Sequence, residues 1–331
     1  MSWRQILPGI HEITLRSDSW FQPSVNVYFL ECSNSGGLLV DAGYANKRSF
    51  ANFLRIFTRL VKHLKDTGKL DKEVRFDRLV KKVVITHDHH DHASGAWRLK
   101  EYFPAASFVM SKGTNLLLSG VHLGKPLGIH GRIREILMRI FNKLLGMRKI
   151  LPRISLVCHG DAIACGNREL TVILSRGHSF EQLLLHEKKQ GILFSSDLVL
   201  ADISTWLGPP NSDYLAYHKT MNFLSSLDNV KIMLPAHGKI IKNPKGRINE
   251  LRHFRELREL QIIDYCKKKP RSISSISWAL YKSRGIGTVF IAMGMVKLVT
   301  HYLVAMGRLS KKRLAFCEKY IAVDDVPQPK N

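Results

Sequence analysis

The segment Thr86–His92 constrains this chain more than any other feature. Val83-Val84-Ile85-Thr86 is apolar and β-branched, the pattern of a buried strand, and it runs directly into His87-Asp88-His89-His90-Asp91-His92. A loop at the end of a buried strand can project side chains into a cleft. His and Asp at alternating positions let several imidazoles converge on one point beside a hard carboxylate oxygen, a donor set suited to zinc or iron. Three later residues each follow another expected strand. They are His178 in Ser175-Arg176-Gly177-His178-Ser179, Asp197 in Phe194-Ser195-Ser196-Asp197, and His237 in Leu234-Pro235-Ala236-His237-Gly238. Strand ends lie side by side in a sheet, so ligands on successive strands can meet. Gly177 would let the backbone approach such a site closely.

Around these motifs the sequence predicts an α/β architecture. Short strands are expected at Ile10–Arg16, Val25–Glu31, Leu38–Asp41, Val83–Thr86 and Ser107–Met110, with helices from Lys47 to about Lys65 and over Ala96–Tyr102. Strands return at Leu156–His159, Leu170–Ser175, Leu183–His186, Ile192–Ser195 and Ile232–Pro235, with a helix at Tyr214–Leu227. Residues 112–153 read as a basic helical insertion. Within it, Ile133, Ile136, Leu137, Ile140 and Leu144 recur at helical spacing, with Arg132, Arg139 and Lys143 on another side. Such a helix would pack on the body, cover the cleft as a lid, or rest on a membrane surface. A boundary is expected near Asn243-Pro244-Lys245-Gly246, giving a catalytic domain over 1–243 and a small domain over 244–331. In the latter, helices at Ile248–Lys267, Ile273–Tyr281 and Val289–Met306 precede a short basic strand.

The set His87-x-His89-x-Asp91-His92, then His178, Asp197 and His237, resembles the metallo-β-lactamase superfamily in full and in order, over about residues 10–240. Asp41-Ala42-Gly43 resembles that family's supporting aspartate motif. The resemblance implies an αβ/βα sandwich and two divalent metal ions, zinc by default with iron or manganese as alternatives. His87, His89 and His178 would hold the first ion. Asp91, His92 and His237 would hold the second, Asp197 would bridge them, and Asp41 would orient a ligand histidine. A hydroxide shared by the ions would attack a carbonyl or phosphorus centre, with Asp91 orienting it and passing its proton on. The chain departs from the family pattern at Arg176, Ser196 and Ala236. The ligand set is complete, but these departures weaken assignment of a substrate by analogy. The other histidines have plainer readings. His90 is expected to be a packed or exposed neighbour, Asp88 a loop partner, and His159 and His186 strand residues, while His122 and His130 lack supporting context.

Charge narrows the partners. The 331 residues carry a formal net charge of +24 with a hydrophobic fraction of 45%, enough for a sizeable core. Two segments hold most of it: 112–153 has nine Lys/Arg against one acid, and 239–331 has twenty against seven. Anionic partners are implied, whether a small-molecule or acyl substrate, RNA, or an anionic membrane surface. The five cysteines form no CxxC pair, which predicts unpaired thiols and a reducing compartment. The start, Met1–Pro8, has no apolar signal core, and the apolar runs in Ile286–Gly307 are broken by Lys297 and His301, shorter than the ~20 residues of a span. A cytoplasmic protein is the expectation. The tail from Pro244 resembles the small winged-helix domain of one branch of the superfamily, which holds thioesterases and an endoribonuclease. Trp278 and Phe290 are expected in its core, leaving no aromatic set to stack bases. The leading expectation is hydrolysis of a thioester or carboxylic ester. Cleavage of single-stranded RNA and action on a lipid-like ester at a membrane are the alternatives.

Overall fold

Parallel strand pairing dictates how the first sheet is connected, because parallel neighbours need a crossover. A computed structural model describes residues 3–16, 24–119, 153–209, 211–314 and 317–323. The expected helix at Arg132–Met147, with His122 and His130, lies outside them. The first sheet runs in chain order: β1 (Trp3–Leu7), β2 (Ile10–Leu15), β3 (Val25–Ser33), β4 (Gly36–Val40), β5 (Val80–Val84), β6 (Ser107–Ser111) and β7 (Ile154–Val157). The first four strands pair antiparallel; β4 to β7 pair parallel. α1 (Lys47–Asp66) crosses from β4 to β5. The short α2 (His90–Ala93) and α3 (Ala96–Tyr102) cross from β5 to β6, and α4 (Lys112–Leu118) follows β6.

α1 forms where the sequence supplies a start and a face. The Asn46 side chain accepts a hydrogen bond from the Ser49 backbone N–H, and His63 and Lys65 sit in the last turn, where the helix dipole favours cations. Phe50, Phe53, Ile56, Phe57, Leu60 and Leu64 recur every three or four residues and are buried. Each such side chain contributes about 1.5–3 kcal/mol on burial.

The second sheet has the order β12-β11-β10-β9-β8, built from β8 (Ala162–Cys165), β9 (Arg168–Ser175), β10 (Gln182–Glu187), β11 (Ile192–Ser196) and β12 (Ile232–Pro235). Side chains alternate across each strand, so β3 and β4 serve two cores. Phe29 and Leu39 face the helices, with Phe53, Phe57, Phe103 and Phe108. Tyr28, Leu30, Leu38 and Val40 join Val172, Leu183, Leu185 and Phe194 of the second sheet in a separate cluster. β1 and β8 were not expected: Trp3–Leu7 shows no clean alternation, and Ala162–Cys165 is only four residues long.

The chain divides into two compact units. The first holds 1–175, 181–203 and 229–244; the second holds 176–180, 204–228 and 245–331. The second unit contains α5 (Tyr214–Ser226), α6 (Pro244–Lys267), α7 (Ile273–Tyr281), α8 (Ile286–Ala305), and an antiparallel hairpin of β13 (Leu309–Leu314) and β14 (Cys317–Ala322). Its buried side chains include Leu251, Ile262, Ile276, Val289, Val296, Val299, Leu303 and Tyr320.

Three expectations need correction. Trp278 and Phe290 are not core residues; they are 51% and 68% exposed. The inward face of α8 runs through Val289, Ala292, Val296, Val299 and Leu303, steps of three and four that leave position 290 off the stripe. Second, α8 is a 20-residue helix of mean hydropathy 1.6, long and apolar enough by length and composition to cross a membrane. Lys297 and His301 lower the average without ending the helix. Third, Cys32 and Cys165 form a disulfide, with Cα atoms 4.4 Å apart across a sequence separation of 133. Five cysteines leave room for up to two pairs, and only the approach of β3 to β8 reveals this one. Cys158 and Cys266 are free.

The link closes a long loop of the unfolded chain, so it should stabilise the fold. Cys165→Ala is expected to lose about 2–4 kcal/mol in urea unfolding under oxidising conditions. The difference from the parent protein should vanish with reductant. Equal stability in oxidant would show the thiols unpaired in solution.

Candidate metal centre

The site begins with the backbone at the ends of β4 and β5. Asp41 follows β4 in the left-handed region, φ +65°, a conformation that Asp tolerates better than most residues. There its carboxylate accepts from the Thr86 backbone N–H (2.8 Å) and the Thr86 hydroxyl (3.1 Å), and it lies 2.8 Å from His92 Nδ1. One buried carboxylate thus holds both ends of the histidine segment. Gly95 completes the turn behind it: a Cβ there would stand 2.1 Å from the Ala42 carbonyl oxygen, so only glycine allows this approach.

The remaining donors come from the second sheet. Ser196, the last residue of β11, also takes a left-handed conformation, φ +47°, and its hydroxyl donates to Thr86 Oγ1 at 2.9 Å. Strain of this kind costs of order 1–3 kcal/mol and gathers where surrounding contacts enforce it. It delivers Asp197 to the cluster. Gln182 faces that turn, and with its amide oriented oxygen-inward it accepts from the Asp197 backbone N–H at 2.9 Å. His237 follows β12, whose end is tied to β3: Asn26 Nδ2 donates to the Pro235 and Gly238 carbonyls, and the Tyr28 hydroxyl donates to Pro235 O at 2.6 Å.

These contacts produce two sets of donors. His87, His89 and Asp197 offer ligand atoms within 4.8 Å of one another, and Asp91, His92 and His237 do the same. Asp197 lies between them. Its Oδ2 is 3.9 Å from His87 Nε2, while its Oδ1 is 3.4 Å from His92 Nε2 and 3.2 Å from His237 Nε2. Asp91 Oδ2 is 3.6 Å from His92 Nε2 and 3.3 Å from His237 Nε2.

The Nδ1 atoms are held from behind, which presents Nε2 as the ligand atom. His92 Nδ1 pairs with Asp41, His87 Nδ1 lies 3.1 Å from Thr86 Oγ1, and His237 Nδ1 donates to Ser24 O at 2.6 Å. Such partners fix tautomer and ring direction in metal-ligating histidines. His178 stands in the loop between β9 and β10, on residues that belong to the second unit. Its Nδ1 donates to Trp206 O at 2.8 Å and faces Thr205 Oγ1 at 3.0 Å. Behind Thr205 lies Arg255, fully buried, which donates to the Thr205 carbonyl at 2.6 Å. Gly177 packs on α5, where a Cβ would come within 2.6 Å of Tyr217 Cα.

The donor set fits a cation. His92 Nε2 is buried with the Asp197 and Asp91 carboxylates 3.4 and 3.6 Å away, a concentration of buried charge that is costly unless protons or a cation balance it. Protonation tells the same story. Burial opposes charge on Asp91, yet the His92 imidazolium and a hydrogen bond from His237 hold its carboxyl well below the usual range. Burial likewise opposes charge on Asp197, and His92 and His237 hold it well below. Against its own burial, His92 is pushed well above the usual histidine value by Asp91, Asp197 and Asp41. His237, against burial, is raised by Asp197 and Asp91 to about 10. Protons on the rings here balance carboxylates that a metal would balance instead.

The histidines given plainer readings fall out as follows. His90 is half-buried beside Tyr44, with ring centroids 5.6 Å apart, and burial lowers its pKa. His186 lies buried in β10, while His159 follows β7 and accepts from the Leu174 N–H through Nδ1 at 3.3 Å. Tyr44 escaped the sequence reading. Burial, then the Asp91 and Asp197 carboxylates, keep its phenol protonated well beyond the usual range. Thr86, Ser196, Gln182 and the Ser24 carbonyl were missed as well, because they act through backbone placement rather than through ligand chemistry.

A cluster of this kind at the strand ends of a two-sheet sandwich defines a class, the metal-dependent hydrolases. Residues 21–237 match the model of the metallo-beta-lactamase superfamily, and the chain belongs to that superfamily. It is 28% identical over 210 residues to acyl-coenzyme A thioesterase MBLAC2 of Gallus gallus, covering 61% of this chain and 72% of the relative. It is also 28% identical over 189 residues to the Homo sapiens protein of that name, covering 54% of this chain and 64% of the relative. Hydroxyacylglutathione hydrolase 1 of Vibrio vulnificus is 22% identical over 219 residues, covering 63% and 70%. Among solved structures, a beta-lactamase domain protein from Burkholderia ambifaria superposes with a TM-score of 0.79 at 22% identity, covering 97% of this chain and 93% of the other. A metallo-beta-lactamase family protein from Thermus thermophilus gives 0.74 at 16% identity, covering 96% and 100%. These two likenesses speak to the fold.

Two outcomes follow from this geometry. Asp41→Asn should weaken metal affinity by about 10- to 100-fold, measured by competition with a chromogenic chelator, because His92 loses its orienting carboxylate. An unchanged affinity would remove Asp41 from the site. Metal loading should also release protons. With His237 raised to about 10 and His92 also raised, both rings carry protons at neutral pH that a cation must displace. Apparent affinity should therefore rise as pH climbs from 7 towards 10 and fall as pH drops. Calorimetry in buffers of different ionisation enthalpy reads the released protons directly.

Proposed function

We propose that this protein hydrolyses acyl thioesters whose leaving group carries negative charge, using two divalent cations, zinc by default. The observation that carries the reading is Asp197, one carboxylate whose two oxygens address two separate donor sets. His87, His89 and Asp197 would hold one ion. Asp91, His92 and His237, with the second oxygen of Asp197, would hold the other. When bound, the cations polarise the acyl carbonyl and bring a water's proton loss to near neutral pH.

The chain's own groups do the rest. Asp91 stays ionised, so its carboxylate can accept a hydrogen bond from the attacking water, orient it, and pass its proton on. Tyr44, kept protonated beside the two carboxylates, is a hydrogen-bond donor at the same place. The net charge of +24 supports an anionic substrate. The names of the MBLAC2 relatives and of the Vibrio relative support thioesters over other esters. The order of three helices and a hairpin in the second unit supports its reading as a small winged-helix domain.

The test is a panel of substrates given to metal-loaded protein: an acyl-coenzyme A, a hydroxyacylglutathione, and single-stranded RNA. Thioester turnover that disappears on chelation and returns with zinc is expected. Asp91→Asn should lower kcat by about 10²- to 10⁴-fold with little change in KM. Cleavage of RNA without thioester turnover would sink the reading and favour the phosphodiester alternative.

A further inference from the structure

The second unit presents an exposed apolar tip set in a wholly cationic stretch of chain. From Tyr265 to Cys317 the sequence holds eleven Lys/Arg and no Asp or Glu. Midway through that stretch, α7 ends, a turn follows, and α8 begins. Trp278 is 51% exposed, Ile286 65%, Phe290 68% and Ile291 64%. Lys282 and Arg284 stand exposed in the turn between them. Beside Tyr281, Arg258 of α6 lies 4.8 Å over the tyrosine ring and 5.7 Å from the ring of the partly exposed Phe254.

Helical spacing explains why these side chains point out. Val289, Ala292 and Val296 turn into the core of the unit, so Ile286 and Phe290, one turn apart, share the opposite side of the first turns of α8. The tip is convex. A Cβ placed on Gly285 or Gly287 would meet nothing within 4 Å. Large apolar side chains on a convex turn, with an aromatic ring and cations around them, match a soft surface rather than a shaped pocket.

We infer that this tip docks the protein on an anionic lipid bilayer, with Ile286, Phe290 and Ile291 entering the acyl boundary, Trp278 at the headgroup level, and Lys282 and Arg284 against the phosphates. The charge decides among occupants. A second copy of this chain would bring Lys282 and Arg284 against their own like in a self-complementary contact. An anionic headgroup layer attracts them instead, by an amount that falls with added salt. The association is peripheral, because the other side of α8 is committed to the core through Val296, Val299 and Leu303. It is independent of which ester the metal centre cleaves.

The experiment is flotation of the full, metal-loaded chain with vesicles of phosphatidylcholine alone and of equimolar phosphatidylcholine and phosphatidylglycerol. Binding to the anionic vesicles at low salt, weak binding to the neutral ones, and release by alkaline carbonate are expected. Ile286→Ser with Phe290→Ser should weaken binding by about tenfold or more. Lys282→Glu with Arg284→Glu should weaken it comparably at low salt. Both double variants should keep the parent's circular dichroism and its turnover of a soluble short-chain thioester. The Trp278 emission should shift to the blue on binding, a change lost in Trp278→Phe. Absence of binding to anionic vesicles overturns the inference, as does binding unaffected by the serine substitutions, which would assign it to basic charge elsewhere. Resistance to carbonate would make α8 a span, and a parent dimer broken by the serine substitutions would make the tip a self-association surface. Either result overturns it.

Discussion

The structure of the site depends on one buried carboxylate in an unfavourable backbone conformation. Asp41 accepts from the Thr86 N–H and pairs with His92 Nδ1, so it sets where the histidine segment begins and how its last ring faces. Thr86 then relays the constraint, because its hydroxyl meets Asp41, His87 Nδ1 and Ser196. Through Ser196 the same chain of contacts reaches Asp197 on the other sheet. Remove the carboxylate and two strand ends lose their common partner. The left-handed φ at Asp41 and at Ser196 persists because the surrounding hydrogen bonds enforce it.

Electrostatics then make the cluster a trap for cations. Two carboxylates and several imidazoles are buried within a few ångströms, where isolated charge is expensive. Within the protein alone, protons on His92 and His237 balance Asp91 and Asp197. Each of those protons marks a place where a metal–nitrogen bond would do the same work. The proposed hydrolysis uses that exchange: groups that gather charge when the fold forms are the groups that hold a Lewis acid and steer water.

Outside the site, charge is segregated. Acids are absent over a long stretch of the second unit, while the buried Arg255 is committed to structure, donating to Thr205 and lying 5.4 Å over the Tyr217 ring. Among the described residues, the exposed cations Lys282 and Arg284 between α7 and α8 stand in no ion pair. Their neighbours are large apolar side chains that the fold leaves in water. Apolar and cationic groups displayed together on a convex turn are satisfied at once by one kind of surface.

The sequence by itself determined the donor chemistry and much of the frame. His87, His89, Asp91, His92, Asp197 and His237 were legible because ligand chemistry needs particular side chains, and because apolar runs before them mark strand ends. β12 and α3 lie where hydrophobic pattern and Pro or Gly punctuation put them. Tertiary structure decided what pattern cannot encode. The pairing of Cys32 with Cys165 rests on the approach of β3 to β8, 133 residues apart in the chain. The Ser24 carbonyl, Gln182 and Tyr44 reach the site because strands bring distant backbone together, and nothing in their residue types announces it. Trp278 and Phe290 are hydrophobic and read as core, yet a helix has two sides, and only its packing partner selects which one is buried. Local sequence fixes chemistry and periodicity; which surfaces meet is a property of the whole folded chain.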